Sequence, residues 1–217
     1  MEEIIRQIAI WAPPVIVAVV LHEISHGWVA NRLGDPTAAR LGRLTLNPIA
    51  HVDLFGTIVV PLTLVVAGSP FVFGYAKPVP VNFHNLRNPK RDMVWVALAG
   101  PATNLALALA FTVIWKSLMP LSGDGKSGFD FMSVLVLMAQ AGILINIALA
   151  VFNLLPLPPL DGGRVLVGLL PEPISSVVAR VEPFGFIILI ALLFTRTLDG
   201  IIRPPMEFLI RMFLGLF

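Results

Sequence analysis

Long apolar runs broken by short polar stretches dominate this chain. Residues 4–33 begin amphipathic and turn apolar through Pro13–Pro14, which predicts one long first helix, kinked at the prolines and ended by Gly34-Asp35-Pro36. The stretch "ARLGRLTLNP" at 39–48 alternates enough to predict a short strand. Residues 54–70 are apolar and rich in β-branched side chains, with Pro61 at the centre. A polar, proline-containing stretch follows at 74–92, then a clear span at 93–119, a short polar loop at 120–130 and a second clear span at 131–155. A last strong span is predicted at about 183–198, and 206–217 read as an interfacial amphipathic helix. There is no internal repeat.

Composition turns these helices into membrane helices. Apolar residues make up 57% of the 217 positions and charged residues 13%, where soluble domains carry about 25%. The prediction is an all-α polytopic membrane protein, about four transmembrane helices plus a re-entrant or short β-containing segment before the 93–119 span. One membrane-embedded domain over 1–217 accounts for the length. The first twenty residues do not read as a signal peptide, because Glu2 and Glu3 occupy the n-region and no small-residue cleavage site follows. The net charge of +2 is small and scattered, which argues against nucleic-acid binding, and the absence of cysteine excludes disulfides and thiolate metal sites.

Positive charges orient the chain. Arg32, Arg40 and Arg43 follow the first helix, and Lys77, Arg87, Lys90 and Arg91 precede the 93–119 span. Both groups belong on the cytoplasmic side, so a single crossing by 54–70 is inconsistent with the bias, and a re-entrant segment turning near Pro61 is favoured. The N-terminus then lies outside, and the helices at 4–33 and 131–155 run parallel.

Candidate chemistry sits inside the first span. His22-Glu23-Ile24-Ser25-His26 is an H-E-x-x-H pattern, which on a helix sets two imidazoles one turn apart on one face, able to reach one Zn²⁺. Glu23 is placed to take a proton from the attacking water. Ionisable groups at mid-bilayer cost roughly 2.5–3.5 kcal/mol each on insertion scales, so they need partners. A catalytic zinc usually takes three protein ligands. Asp161, inside "LPLPPLDGG" after the 131–155 helix, stands out as the third, reaching the histidines if the two helices are parallel; it also reads as an N-cap for a helix starting at Gly162.

Together, H-E-x-x-H at 22–26, "AGPATN" at 99–104 and "NLLPLPPLDGGR" at 153–164 resemble the three signature regions of the site-2 proteases, zinc metalloproteases that cut other proteins within the membrane. The likeness covers a core from about residue 15 to 170, with C-terminal helices at about 183–217 outside it. It implies that His22, His26 and Asp161 bind zinc, that Glu23 is the general base, and that Asn153 hydrogen-bonds the substrate carbonyl or the developing oxyanion. No PDZ-like or nucleotide-sensing domain is inserted, so the chain resembles the compact branch of the family. The implied partners are the lipid bilayer and a membrane protein whose spanning segment unwinds locally before it is cut, in the cell membrane of a prokaryote.

The strand-like pieces 39–46 and 77–82 could hold such a substrate by strand addition, although prolines within 78–82 argue against pairing. Gly100 and Asn104 read as a close helix contact with an interhelical hydrogen bond, His51 and His84 as loop or interface histidines, and Arg164 as a headgroup or carbonyl contact. An intramembrane metal transporter and a non-catalytic zinc scaffold are the competing readings; transporters usually carry repeated halves, and structural zinc is usually closed by four ligands.

Overall fold

The computed structural model describes residues 2–66, 74–121 and 131–215. Almost all of the predicted 120–130 loop, together with 67–70 and 216–217, lies outside the described residues.

Helix α1 covers Glu2–Leu33 and passes through Pro13–Pro14. A short helix α2 follows at Thr37–Arg40, then a 3₁₀ turn at Pro48–His51, a π-helical turn at Leu54–Val59 and helix α3 at Val60–Val66. Helix α4 covers Pro89–Leu118, α5 Phe131–Asn153, α6 Asp161–Leu169, α7 Ile174–Ala179, α8 Glu182–Phe194 and α9 Thr197–Gly215. Three helices, α1, α4 extended to Leu121, and α5, are long and apolar enough to cross a membrane; α8 and α9, meeting at 84°, make a fourth span if counted as one. At 1.5 Å per residue α1 is roughly 48 Å long, more than the ~30 Å hydrocarbon core requires. This is an all-α, multi-pass membrane protein, and no strand occurs among the described residues.

Three central helices fix the position of everything polar. His26 contacts Val96 while Asn104 reaches back to Ala18, so α4 runs antiparallel to α1. Gly142 lies against Phe111 and Asn146 bonds Asn104, so α5 runs antiparallel to α4 and hence parallel to α1. Ala108, Ile143 and Ile147 fill the α4–α5 interface.

Several sequence expectations are corrected. The strand at 39–48 is absent: Asp35 Oδ1 accepts the Thr37 N–H and starts α2, and Gly42, at φ +64°, turns the chain before any alternation can be used. The 77–82 piece is extended but belongs to no sheet. Residues 206–215 are not a separate interfacial helix. They continue α9 through Pro204–Pro205, and Met206, Leu209, Ile210 and Phe213 pack on the α4–α5 core. The expected last span is also shorter, since α8 alone reaches only about 20 Å.

The segment after residue 54 does not cross. Its described helical part, residues 54–66, is less than about 20 Å long, and by Tyr75 the chain is back where it began. There the Tyr75 N–H donates to Gly56 O at 3.0 Å and Thr57 Oγ1 donates to Tyr75 O at 3.0 Å. Single cysteines at Val52 and Lys77, both exposed, are therefore expected to react with a membrane-impermeant thiol reagent from the same side; labelling from opposite sides would require a crossing.

Candidate active site

His22 and His26 lie one turn apart on α1, buried against α4. Each ring is tied to α4 through Nδ1, His22 to Asn104 Oδ1 at 2.6 Å and His26 to Val96 O at 2.7 Å. A backbone carbonyl only accepts, so His26 Nδ1 carries its proton. The His22 tautomer follows from a longer chain of bonds. Asn146 Nδ2 donates to Gly142 O at 2.8 Å, which turns Asn146 Oδ1 toward Asn104 Nδ2 at 2.8 Å. Asn104 Nδ2 also faces Ala18 O at 3.3 Å, leaving its Oδ1 for His22. Both histidines thus carry a proton on Nδ1 and, when neutral, turn an Nε2 lone pair toward the cluster.

Those lone pairs converge. The two Nε2 atoms are 3.1 Å apart, and Asp161 Oδ2 lies 3.2 Å from one and 3.4 Å from the other. Asp161 Oδ2 is buried and no hydrogen bond of good geometry satisfies it. Three potential donor atoms this close to one another need a shared positive charge, a proton or a metal ion, to hold them together. His22, His26 and Asp161 therefore form a cluster able to hold a metal ion, all three buried. Gly100 makes room for it: a Cβ there would collide with His26 Nε2 and sit 2.6 Å from His22 Nε2.

Asp161 arrives as the parallel course of α1 and α5 predicts, but not as a cap. It is the first residue of α6, and the N-cap is Leu160 with no side-chain cap bond, so Asp161 is not a cap for a helix starting at Gly162. Gly162 and Gly163 bring that helix directly against the backbone of 154–158, too close for any Cβ, and this contact aims the carboxylate at the histidines.

A cavity of about 690 Å³ opens beside the cluster. Glu23 and Asn153 line it, with the extended 74–79 segment on one wall and Leu189, Leu193, Ile202 and Met206 of α8 and α9 on another. Glu23 Oε2 accepts the Val79 N–H at 2.8 Å. Asn153 donates one amide hydrogen to Leu149 O at 3.0 Å, and a second remains for another acceptor.

Comparison with known proteins gives the family of the chain. The chain is 39% identical to the Bacillus subtilis protein named "Putative zinc metalloprotease YwhC", over 88% of its own length and 82% of that protein. Residues 129–195, which include Asn153 and Asp161, match Peptidase family M50. The chain belongs to peptidase family M50, the site-2 protease family.

Two further relatives are also named "Putative zinc metalloprotease". Rip2 of Mycobacterium tuberculosis is 31% identical over 85% of this chain, which spans 66% of that protein. MJ0611 of Methanocaldococcus jannaschii is 41% identical over 68% of this chain and 63% of its own length. No solved structure matches.

Other candidates fall outside the cluster. His51 is buried behind the 74–79 segment, with Nε2 on Thr45 O at 2.9 Å, and His84 is exposed in the 3₁₀ turn Phe83–Asn85. Arg164 is partly exposed. It lines the cavity, pairs with Glu182 at 3.4 Å and lies over the Phe83 ring. Just beyond α1, burial raises the Asp35 pKa, but donors from Thr37, Asn85 and the Asn82 N–H outweigh it and hold the carboxyl below its ordinary value. Asp35 thereby anchors the far end of the extended segment.

Asn146 was not singled out from sequence, although a lone amide in the apolar run "AGILINIALAVF" is the signal that could have found it. Asn146→Leu is expected to free the Asn104 amide to flip and to lower metal affinity about 10- to 100-fold, measured by chelator competition. Unchanged affinity would show that His22 keeps its tautomer without this chain of bonds.

Proposed function

We propose that this M50 protein is an intramembrane zinc endopeptidase that hydrolyses peptide bonds in or near the spanning segments of other membrane proteins. The observation that carries the reading is the lone-pair triangle of His22, His26 and Asp161 beside a cavity lined by Glu23. A tetrahedron built on zinc bonds of about 2.0–2.1 Å has edges of roughly 3.3 Å, and the three donor separations of 3.1, 3.2 and 3.4 Å fit it.

Zinc, when bound, supplies Lewis-acid activation of water and offsets negative charge on the reacting carbonyl. The chain supplies the rest. Glu23 takes a proton from the attacking water and returns it to the leaving nitrogen. The free Asn153 amide hydrogen donates to the carbonyl oxygen as charge develops there. The apolar α8–α9 wall accepts hydrocarbon side chains of a substrate segment. The segment must unwind before cleavage, because a membrane helix shields its own peptide bonds. The extended 74–82 wall is then available to hold the unwound stretch. Its outer side is already taken, since Arg43 donates to Lys77 O and Pro78 O.

The test compares peptide termini in membranes of a prokaryotic host producing either the wild-type protein or Glu23→Gln. New termini inside spanning segments, present only with the wild type, support the proposal. Identical sets of termini would count against it.

A further inference from the structure

Between Lys77 and Val81 the sequence reads Pro78-Val79-Pro80, and proline has no N–H, so Val79 carries the only backbone donor of these three residues. That donor is spent on Glu23 Oε2, 2.8 Å away. An extended segment with no sheet partner cannot by itself hold a donor so accurately. Four contacts fix it, three through the backbone and one through the Val79 side chain. Arg43 Nη2 donates to Lys77 O at 3.0 Å and to Pro78 O at 3.3 Å. The Lys77 N–H donates to His51 O at 2.9 Å. The buried Val79 side chain sits in a notch at Gly27, one turn beyond Glu23 on α1, where a Cβ would lie 2.6 Å from Val79 Cγ1.

We infer that Arg43 is a positioning residue for Glu23: it grips the carbonyls of Lys77 and Pro78, and the backbone it holds presents the Val79 N–H to the Glu23 carboxylate. With Oε2 held, the carboxylate cannot rotate freely and Oε1 is left for the proton transfers. Both bonds leave the single Nη2 atom, so a lysine could make them in part, but its ammonium lacks the planar head that fixes the direction of the donors. This inference rests on the proposed role of Glu23 as base. It also assigns the 77–80 stretch a task distinct from holding substrate.

Two readouts on the full-length, zinc-loaded protein in micelles test it. The first is hydrogen exchange of the Val79 amide in ¹⁵N-valine-labelled protein, the signal being assigned by its loss in Val79→Ile. The second is turnover of β-casein, an extended polypeptide that needs no unwinding. Arg43→Ala is expected to speed Val79 exchange and to lower kcat about 10- to 100-fold, with KM changed less than about twofold and zinc content unchanged. Arg43→Lys should recover part of both losses. Gly27→Ala, with Arg43 intact, should reproduce them by displacing Val79.

Wild-type Val79 exchange in Arg43→Ala overturns the inference, even if casein proves a poor probe. So does a rise in KM with kcat preserved, which would make the segment a substrate rail only. Glu23→Gln separates the two ideas. If it retains turnover, the base assignment fails; if it is inactive while Arg43→Ala behaves as wild type, the positioning role alone fails.

Discussion

Replacing Glu23 with glutamine is expected to lower peptide hydrolysis about 10²- to 10⁴-fold while leaving zinc content unchanged. Glutamine keeps the shape of the side chain, and its amide oxygen still accepts the Val79 N–H, so the wall of the cavity stays in place. It cannot take a proton from water. Nor can a neighbour replace it: among the described residues lining the cavity the other carboxylate is Asp161, and that group faces the two histidines. Glu23 is not part of the three-donor cluster, so the metal has no reason to leave. Turnover by this variant within a few-fold of wild type would mean that the proton moves by another route.

Gly100→Val is expected to empty the metal site. The new Cβ would collide with His26 Nε2 and approach His22 Nε2 to 2.6 Å, in the space where the donors converge. The rings cannot step aside, because His22 is tied to Asn104 and His26 to Val96 O, both on the helix that carries the valine. Moving α4 away would carry those acceptors with it. Overpacking of this kind costs about 1–3 kcal/mol of stability, so the variant should still fold, with metal affinity reduced by about 100-fold or more in chelator competition. Gly100→Ala places the same Cβ and should show a smaller loss of the same kind. Full zinc occupancy in Gly100→Val would contradict the placement of α4.

How much of this was legible in the sequence depended on how local the signal was. His22 and His26 were readable because four residues make one helical turn, and polar groups in an apolar run are conspicuous. The parallel course of α1 and α5 followed from basic residues at the ends of the spans, and with it the approach of Asp161. The return of the 54–70 segment was favoured by the same charges, and the Gly56–Tyr75 contact shows it. Asn104 was read as an interhelical hydrogen bond, which it makes, but its partner His22 was not foreseen.

What stayed hidden is mostly non-local. Alternation at 39–48 suggested a strand and hid the helix-start signal of Asp35-Pro36, which precedes α2. Asp161 read as a ligand that could also be a cap, and only the tertiary contact with 154–158 shows that it does not cap. The 84° turn between α8 and α9 puts Ile202 and Met206 on the cavity wall, and hydropathy alone gave two unrelated helices there. Arg43 and Val79 are 36 positions apart, joined only through carbonyls that no side-chain pattern records.

The most direct test of the central claim is zinc content, measured on purified wild-type protein beside His26→Ala, Asp161→Ala and Glu23→Gln. The account predicts about one zinc per chain in the wild type and in Glu23→Gln, and a large loss in the other two. A well-folded wild-type protein without zinc, or zinc that survives both ligand replacements, would contradict it.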